Sequence, residues 1–257
     1  MSATVVAIAN QKGGVGKSTT AINLGAGLAF QDERILVFDL DPQGNTTSGL
    51  GIDRASIDLS TYDILVDGVE IVDVLEPTSV QGLHVVPATI ELAGAEIELV
   101  SMFSREMRLK QALEKIADDY DFVLIDCPPS LGLLTINGLA AADEVLIPIQ
   151  CEYYALEGVT QLTHNIDRIT SNLNPQLKIE GVLLTMFDGR TTLAADVVEQ
   201  VRKHFKETTY KTVIPRTVRL SEAPSYGEPI EAYDRMSRGA IAYRELAKEF
   251  RRRHGRT

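Results

Sequence analysis

The sequence predicts an α/β fold, a mostly parallel, twisted sheet with helices on both faces. Three observations predict it. Short, β-branched, nearly continuous apolar runs alternate with longer stretches of helical periodicity. Strands that are apolar at every position have no face left for water, so both sides of their sheet must be covered, as in parallel sheets. Three of the runs also end in glycine-rich or acidic segments, and in such sheets ligands bind at the carboxyl ends of the strands.

The elements follow in order. "TVVAIAN" (4–10) is the first strand, and after a glycine-rich loop the pattern turns helical over 17–30. "RILVFDL" (34–40) and "LHVVPA" (83–88) are too short and too β-branched for helices, and a helix follows over roughly 104–118. "DFVLIDC" (121–127), "EVLIPIQ" (144–150) and "KIEGVLLTMF" (178–187) continue the sheet, with helices over 132–142, 155–172 and 191–206. "SRGAIAYRELAKEFRRR" (237–253) closes the chain as a helix with Ser237 as N-cap. No repeat, low-complexity tract or linker interrupts the pattern, so one domain over 1–257 is expected.

Composition narrows the function. No apolar run approaches the ~18 residues of a membrane span. Met1 to Asn10 lacks the charged start of a secretory signal and leaves no room for a helix-turn-helix before the first strand. With only Cys127 and Cys151, a disulfide framework is excluded and a reducing cytoplasm is the expected home. The four histidines are scattered, so no zinc-type cluster can be read. The net charge of −11 argues against a nucleic-acid partner, but it is unevenly spread. Residues 1–200 carry 11 Lys/Arg and 29 Asp/Glu, whereas 201–257 carry 14 and 7. Screening beyond about 10 Å lets a local basic face attract an anion despite an acidic whole. A solvated C-terminal helix explains the same asymmetry.

The chemistry concentrates at the strand ends. "NQKGGVGKSTT" (10–20) nearly fits the phosphate-binding pattern G-x-x-x-x-G-K-[ST], but Gln11 stands where the first glycine belongs. Gly13, Gly14 and Gly16 let backbone N–H groups turn toward phosphate oxygens at a helix N-terminus. Lys17 is placed to reach the β- and γ-phosphates and the Ser18 hydroxyl to ligate Mg²⁺. Asp126, ending the buried run "FVLID", fits the acid that holds the metal. Together these features predict a P-loop NTPase-like fold that binds a nucleotide with Mg²⁺. Lys12 is a second lysine on the outer side of the loop. A cation supplied in trans neutralises charge developing in phosphoryl transfer, so its placement suggests two copies sandwiching two nucleotides.

On these residues the chain resembles a known family. "KGGVGKST" is similar to the deviant Walker A motif of the ParA/MinD ATPase superfamily, with Lys12 as the signature lysine. "VFDLDPQGNTTSGLG", "FVLIDCPPSLGLLTINGLAAAD", "TMFDGRTTLAADV" and "IPRTVRLSEAPSYGEPI" resemble segments of the ParA/Soj chromosome-partitioning branch, over about residues 3–250. The resemblance implies a nucleotide site running through Lys12, Gly13, Gly14, Val15, Gly16, Lys17, Ser18 and Thr19, with Ser18 in place of the commoner threonine. It implies that Asp41 orients or polarises the attacking water and that Asp39 is structural or supports the site from behind the residues that touch the nucleotide. Pro215 and Arg216 lie where the family contacts adenine, Arg216 replacing a frequent asparagine. It further implies an ATP-dependent homodimer, slow hydrolysis stimulated by a ParB-type partner, and nonspecific double-stranded DNA binding through Arg190 and Arg219, hence nucleoid association. Lys203, Lys206, Lys211 and the "RRR" run are candidates to widen that surface.

Two other uses of the same scaffold are weighed. A MinD-like membrane helix would need the C-terminal segment to insert, and Leu246 and Phe250 beside basic residues form the minimal pattern. Ala242, Ala247 and "RRRHGRT" add little insertion area, so these residues are expected to pack on the sheet and membrane binding is not expected. An iron–sulfur reductase would use its cysteines as cluster ligands, but the segments around Cys127 and Cys151 do not resemble those of such reductases.

Overall fold

The computed structural model describes residues 3–152 and 155–256, without the side chains of 155–161. In chain order the regular elements are β1 (Thr4–Ile8), α1 (Lys17–Ala29), β2 (Ile35–Asp39), α2 (Asn45–Gly49), α3 (Thr61–Leu65), β3 (Glu76–Pro77), β4 (Leu83–Val86), α4 (Leu92–Glu98) and α5 (Arg108–Leu113). There follow β5 (Phe122–Asp126), α6 (Leu133–Ala141), β6 (Glu144–Gln150), α7 (Ala155–Asn172), β7 (Lys178–Phe187), α8 (Thr192–Phe205), β8 (Thr209–Pro215), α9 (Val218–Glu222), α10 (Ile230–Tyr233) and α11 (Arg238–Arg253).

The strands form one sheet in the order β3-β4-β2-β5-β1-β6-β7-β8. Every pairing is parallel except β3 with β4. Successive side chains point to opposite faces, and here both faces are dry. Val5, Ala7, Leu36, Phe38, Val123 and Ile125 enter one core, with buried residues of α4, α6, α7 and α8. Val6, Ile8, Ile35, Val37, Phe122 and Leu124 enter the other, with α1 and α11. This is why the strands read as unbroken apolar runs.

The six expected strands are all present, trimmed by up to two residues at either end. The sheet also contains β8, whose Lys211, Thr212 and Val213 are not buried as an interior strand would be, and the two-residue edge strand β3. The helix expected over 104–118 is reduced to α5. Before it, Ser104 adopts a positive φ and Arg105 donates to the Val100 carbonyl, so that segment is folded as turns.

The parallel alignment brings the useful residues together. Ile8 and Asp126 are register partners, as are Asp39 and Asp126, so the carboxyl ends of β1, β2 and β5 lie side by side. The chain leaves β1 toward β2 on one side and later adds β6 on the other. That reversal of direction opens a crevice above β1.

Candidate nucleotide site and basic edge

The loop between β1 and α1 is anchored at both ends. Buried Asn10 donates to the Pro148 carbonyl at 2.7 Å and accepts from the Lys12 amide at 2.9 Å. The Val15 carbonyl accepts from the Thr185 hydroxyl of β7 at 2.8 Å. Gly14 (φ 72°) and Gly16 (φ 92°) occupy the left-handed region, where a side chain would be strained. A Cβ on Gly13 or Gly14 would meet nothing within 4 Å, so the loop encloses open space. Gly16 is the N-cap of α1 and supplies no side-chain acceptor to the first turn, leaving its positive end for an anion.

The two lysines differ in setting. Lys17 is only 6% exposed. Burial lowers its pKa, opposed by the nearby Asp126 and Asp41 carboxylates. Its Nζ lies 3.5 Å from the Lys12 carbonyl. Lys12 instead keeps a side chain 40% exposed, with Nζ 3.7 Å from Oε2 of Glu152. Glu152 also accepts from Arg216 at 3.1 Å and Gln150 at 2.6 Å, so one carboxylate gathers Lys12 and Arg216 on the rim.

Three acids line the other side. Asp39 and Asp126 are fully buried neighbours, and burial raises the pKa of both. Their mutual repulsion adds to the rise at Asp39, while Ser18, Thr46 and Lys17 offset part of it at Asp126. Asp39 is a hub: Oδ1 accepts from the Asp41 amide at 3.1 Å, and Oδ2 accepts from the amide and hydroxyl of Thr47 at 2.8 and 2.6 Å. Asp41, 7% exposed, accepts from the Gln43 amide at 2.9 Å. Thr46 donates to Oδ2 of Asp126 at 2.7 Å, whereas Oδ1 is buried with no hydrogen-bond partner.

A cavity of about 350 Å³ opens beside the loop, lined by Gly16, Thr19, Thr185, Met186, Pro215 and Arg216. Pro215 and Arg216 therefore meet Gly16 and Thr19 across one space, and the Arg216 amide is fixed by the Phe187 carbonyl at 2.9 Å.

ATP with Mg²⁺ fits these residues. The open glycine loop and uncapped helix offer donors to phosphate, and buried Lys17 forms no close ion pair among the described residues. The unpartnered Oδ1 of Asp126, near Ser18, is suited to a hard cation. Mg²⁺ keeps several waters and needs only one or two protein ligands.

Arg190 follows β7 and Arg219 lies on α9 after β8, so both stand at the carboxyl edge of the parallel strands. Each is exposed and paired locally, Arg190 with Asp188 at 2.6 Å and Arg219 with Glu222 at 3.0 Å and Asp234 at 3.5 Å. Exposed pairs of this kind are worth little. The wider surface drawn from the sequence needs correction. Lys206 precedes β8 and lies about 20 Å or more from the strand's carboxyl end at 3.3 Å per residue, and Lys211 stands within the strand, about 13 Å from that end. Arg251 pairs with Glu33, and Arg253 donates to the Glu180 and Thr209 carbonyls, so these two arginines pack inward.

The cysteines are structural. Cys127 is fully buried against α6, where a Cβ on Gly138 would come within 2.9 Å of its sulfur. Burial raises both thiol pKa values, that of Cys151 to about 11, so neither is a ready thiolate. Sequence reasoning missed Asn10, Thr185, Thr47 and Glu152. Their roles depend on hydrogen bonds between segments, and no spacing in the sequence announces them.

Loop, helix, acids and the adjoining cavity define a P-loop nucleotide-binding protein. A family model described as an AAA domain matches residues 3–179. The chain is 60% identical over 245 residues to the sporulation initiation inhibitor protein Soj of Bacillus subtilis, covering 95% of this chain and 97% of that protein. It is 55% identical to the chromosome partitioning protein ParA of Myxococcus xanthus, covering 97% of this chain and 88% of that one. Among solved structures, the cobyrinic acid a,c-diamide synthase of Mycobacterium smegmatis with bound ADP and magnesium superposes with a TM-score of 0.84 at 43% identity, over 96% of this chain and 93% of that one. The chain belongs to the Soj/ParA family of chromosome-partitioning proteins, within the ParA/MinD superfamily.

Proposed function

We propose that this chain, one domain over residues 1–257, is a DNA-segregation ATPase. It binds ATP and Mg²⁺, dimerises on them, and as a dimer binds duplex DNA without sequence preference. Its hydrolysis is slow until a ParB-type partner stimulates it, and in the cell it is cytoplasmic and associated with the nucleoid. The observation that carries this reading is the contrast between the lysines: Lys17 buried beneath the loop, Lys12 exposed on its rim.

Lys17 serves the chain's own nucleotide, cradled by Gly13, Gly14, Val15, Gly16, Ser18 and Thr19, while Pro215 and Arg216 flank the base. Ser18 and Asp126 hold the metal, which when bound neutralises charge on the transferring phosphoryl group. Asp41 orients the attacking water, and Asp39 holds the Asp41 backbone in place. Lys12 leaves Glu152 and reaches the nucleotide of the second copy, completing a site that neither copy completes alone.

Two alternatives carry less weight. A MinD-like membrane helix would need to free Leu246 and Phe250, yet both are fully buried, and Phe250 packs edge-on against Phe122 with ring centroids 5.1 Å apart. No helix among the described residues is long and apolar enough to cross a membrane. A diamide synthase, the activity named for the Mycobacterium smegmatis structure, stands at 43% identity against 60% for the Bacillus subtilis protein.

Light scattering with size exclusion tests the dimer. The expected mass doubles with ATP and Mg²⁺ and stays monomeric with ADP. A chain that remains monomeric with ATP would overturn the trans-lysine reading.

A further inference from the structure

We infer that Thr46 sets the metal selectivity of the site. By holding Oδ2 of Asp126, it leaves a single carboxylate oxygen, Oδ1, to face a divalent cation, and so favours Mg²⁺ over Ca²⁺. The inference rests on the nucleotide reading above.

The geometry is specific. Thr46 and Asp126 are both fully buried, and the Thr46 hydroxyl donates to Oδ2 at 2.7 Å. Water does not reach the pair to replace that bond. Oδ1 of the same carboxylate has no partner. Thr46 is also held in register by its neighbour: Thr47 donates to Asp39 through its amide and hydroxyl, and its hydroxyl accepts from the Ala88 amide at 2.9 Å. With α2 pinned at Thr47 and a β-branched side chain stiff at χ1, Thr46 has little freedom to turn away. The neighbouring acids are already engaged. Asp39 accepts through both oxygens, and Asp41 accepts from Gln43.

The two cations differ in what they ask of a carboxylate. Mg²⁺ takes near-octahedral geometry with one oxygen per carboxylate and retains its waters. Ca²⁺ is larger, accepts six to eight oxygens, and commonly takes a carboxylate through both. Chelation of Ca²⁺ by both oxygens of Asp126 would break the Thr46 bond and strand a buried hydroxyl. One-oxygen binding of Mg²⁺ leaves the bond intact. A hydroxyl in this position therefore penalises the larger cation.

The test compares ATP affinity by calorimetry in Mg²⁺ and in Ca²⁺ for the parent, Thr46→Ser, Thr46→Val and Thr46→Ala. Parent and Thr46→Ser should favour Mg²⁺ to the same degree. In Thr46→Val and Thr46→Ala the Mg²⁺-to-Ca²⁺ affinity ratio should fall by about tenfold, the scale of a lost hydrogen bond to a charged group, mostly through tighter Ca²⁺ binding. Should Thr46→Val fail to fold, Thr46→Ala carries the comparison. An unchanged ratio in the variants, or an equal loss in both metals, overturns the assignment. A parent chain that binds no ATP with either metal overturns the nucleotide reading itself and this inference with it.

Discussion

Lys12 is the residue on which the proposed chemistry turns. Its side chain sits on an exposed rim and pairs with Glu152 at 3.7 Å, so replacing it leaves the core untouched. Lys12→Ala is expected to retain its melting temperature and to bind one nucleotide. Its ATP-dependent dimerisation should be lost, and its hydrolysis should fall at least about a hundredfold, since a trans cation in phosphoryl transfer is worth about 10³ or more. Dimerisation and turnover at the parent's level would refute the role. Asp41→Ala separates water attack from binding. The phosphate loop is intact in that variant, so an ATP-bound dimer should persist on size exclusion for longer than the parent's; normal turnover would contradict the assignment. At this scale the sequence was legible where a motif fixes spacing, as for Lys17, Ser18 and Asp126. It did not show which groups Asp39 holds or that Glu152 gathers Lys12 and Arg216, because the Asp39 bonds depend on how the loop to Thr47 folds back and the Glu152 bonds join loops that only the fold brings together.

Elements were legible in proportion to how fully they are buried. β1, β2, β5, β6 and β7 are apolar on both faces and read plainly. β8 lies at the sheet edge with Lys211 exposed and Thr212 and Val213 half-buried, so its pattern is weak. α4 was overlooked because Leu92 and Ala95 bury one face while Ile97 remains exposed, and in the turn that follows Leu99 is buried but Val100 exposed, which blurs the amphipathic signal. The last helix decides between two functions. Because Tyr243, Leu246 and Phe250 belong to the core, Phe250→Ala should destabilise the fold by roughly 3–5 kcal/mol, a cost typical of a buried aromatic deletion. Chemical denaturation measures it, and an unchanged midpoint would mean that α11 is free to leave the sheet. On the edge after β7 and β8, Arg219→Glu should weaken DNA binding about equally for unrelated sequences while ATP-dependent dimerisation survives. A loss confined to one sequence would mean base readout and not phosphate contact.

For the whole molecule, buried acids tie stability to pH. The Glu180 side chain is enclosed, and burial raises its pKa to about 7 against the lowering effect of the Tyr210 hydroxyl and Arg253. The folded chain then holds a proton that the unfolded chain has released between about pH 5 and 7. Stability therefore falls as pH rises through that window. His254 acts with the same sign: burial works against its protonation, but bonds to Glu144 and the Phe250 carbonyl raise its pKa, so its contribution is lost as pH rises through the folded value. The nucleotide-free protein should melt at a lower temperature at pH 8 than at pH 5, and Glu180→Gln should flatten the slope. An unchanged slope in that variant would place the titration elsewhere.

The division of charge between an acidic body and a basic C-terminal segment was visible in composition, but its use was not. The arginines that face outward could be told from those that pack inward only once β8 and α11 were in place. The central claim joins this edge to the nucleotide: one copy offers few phosphate contacts, and pairing two copies multiplies them on a connected surface. The most direct measurement is binding of a random-sequence duplex to the full chain with ATP and Mg²⁺, with ADP and Mg²⁺, and without nucleotide, across a salt series, alongside sedimentation with anionic liposomes. The expected result is binding with ATP alone, with a log–log salt slope that loses roughly 0.9 for each phosphate contact removed by Arg190→Ala or Arg219→Ala, and no liposome recruitment. DNA binding indifferent to nucleotide, or recruitment to liposomes without a DNA complex, would contradict it.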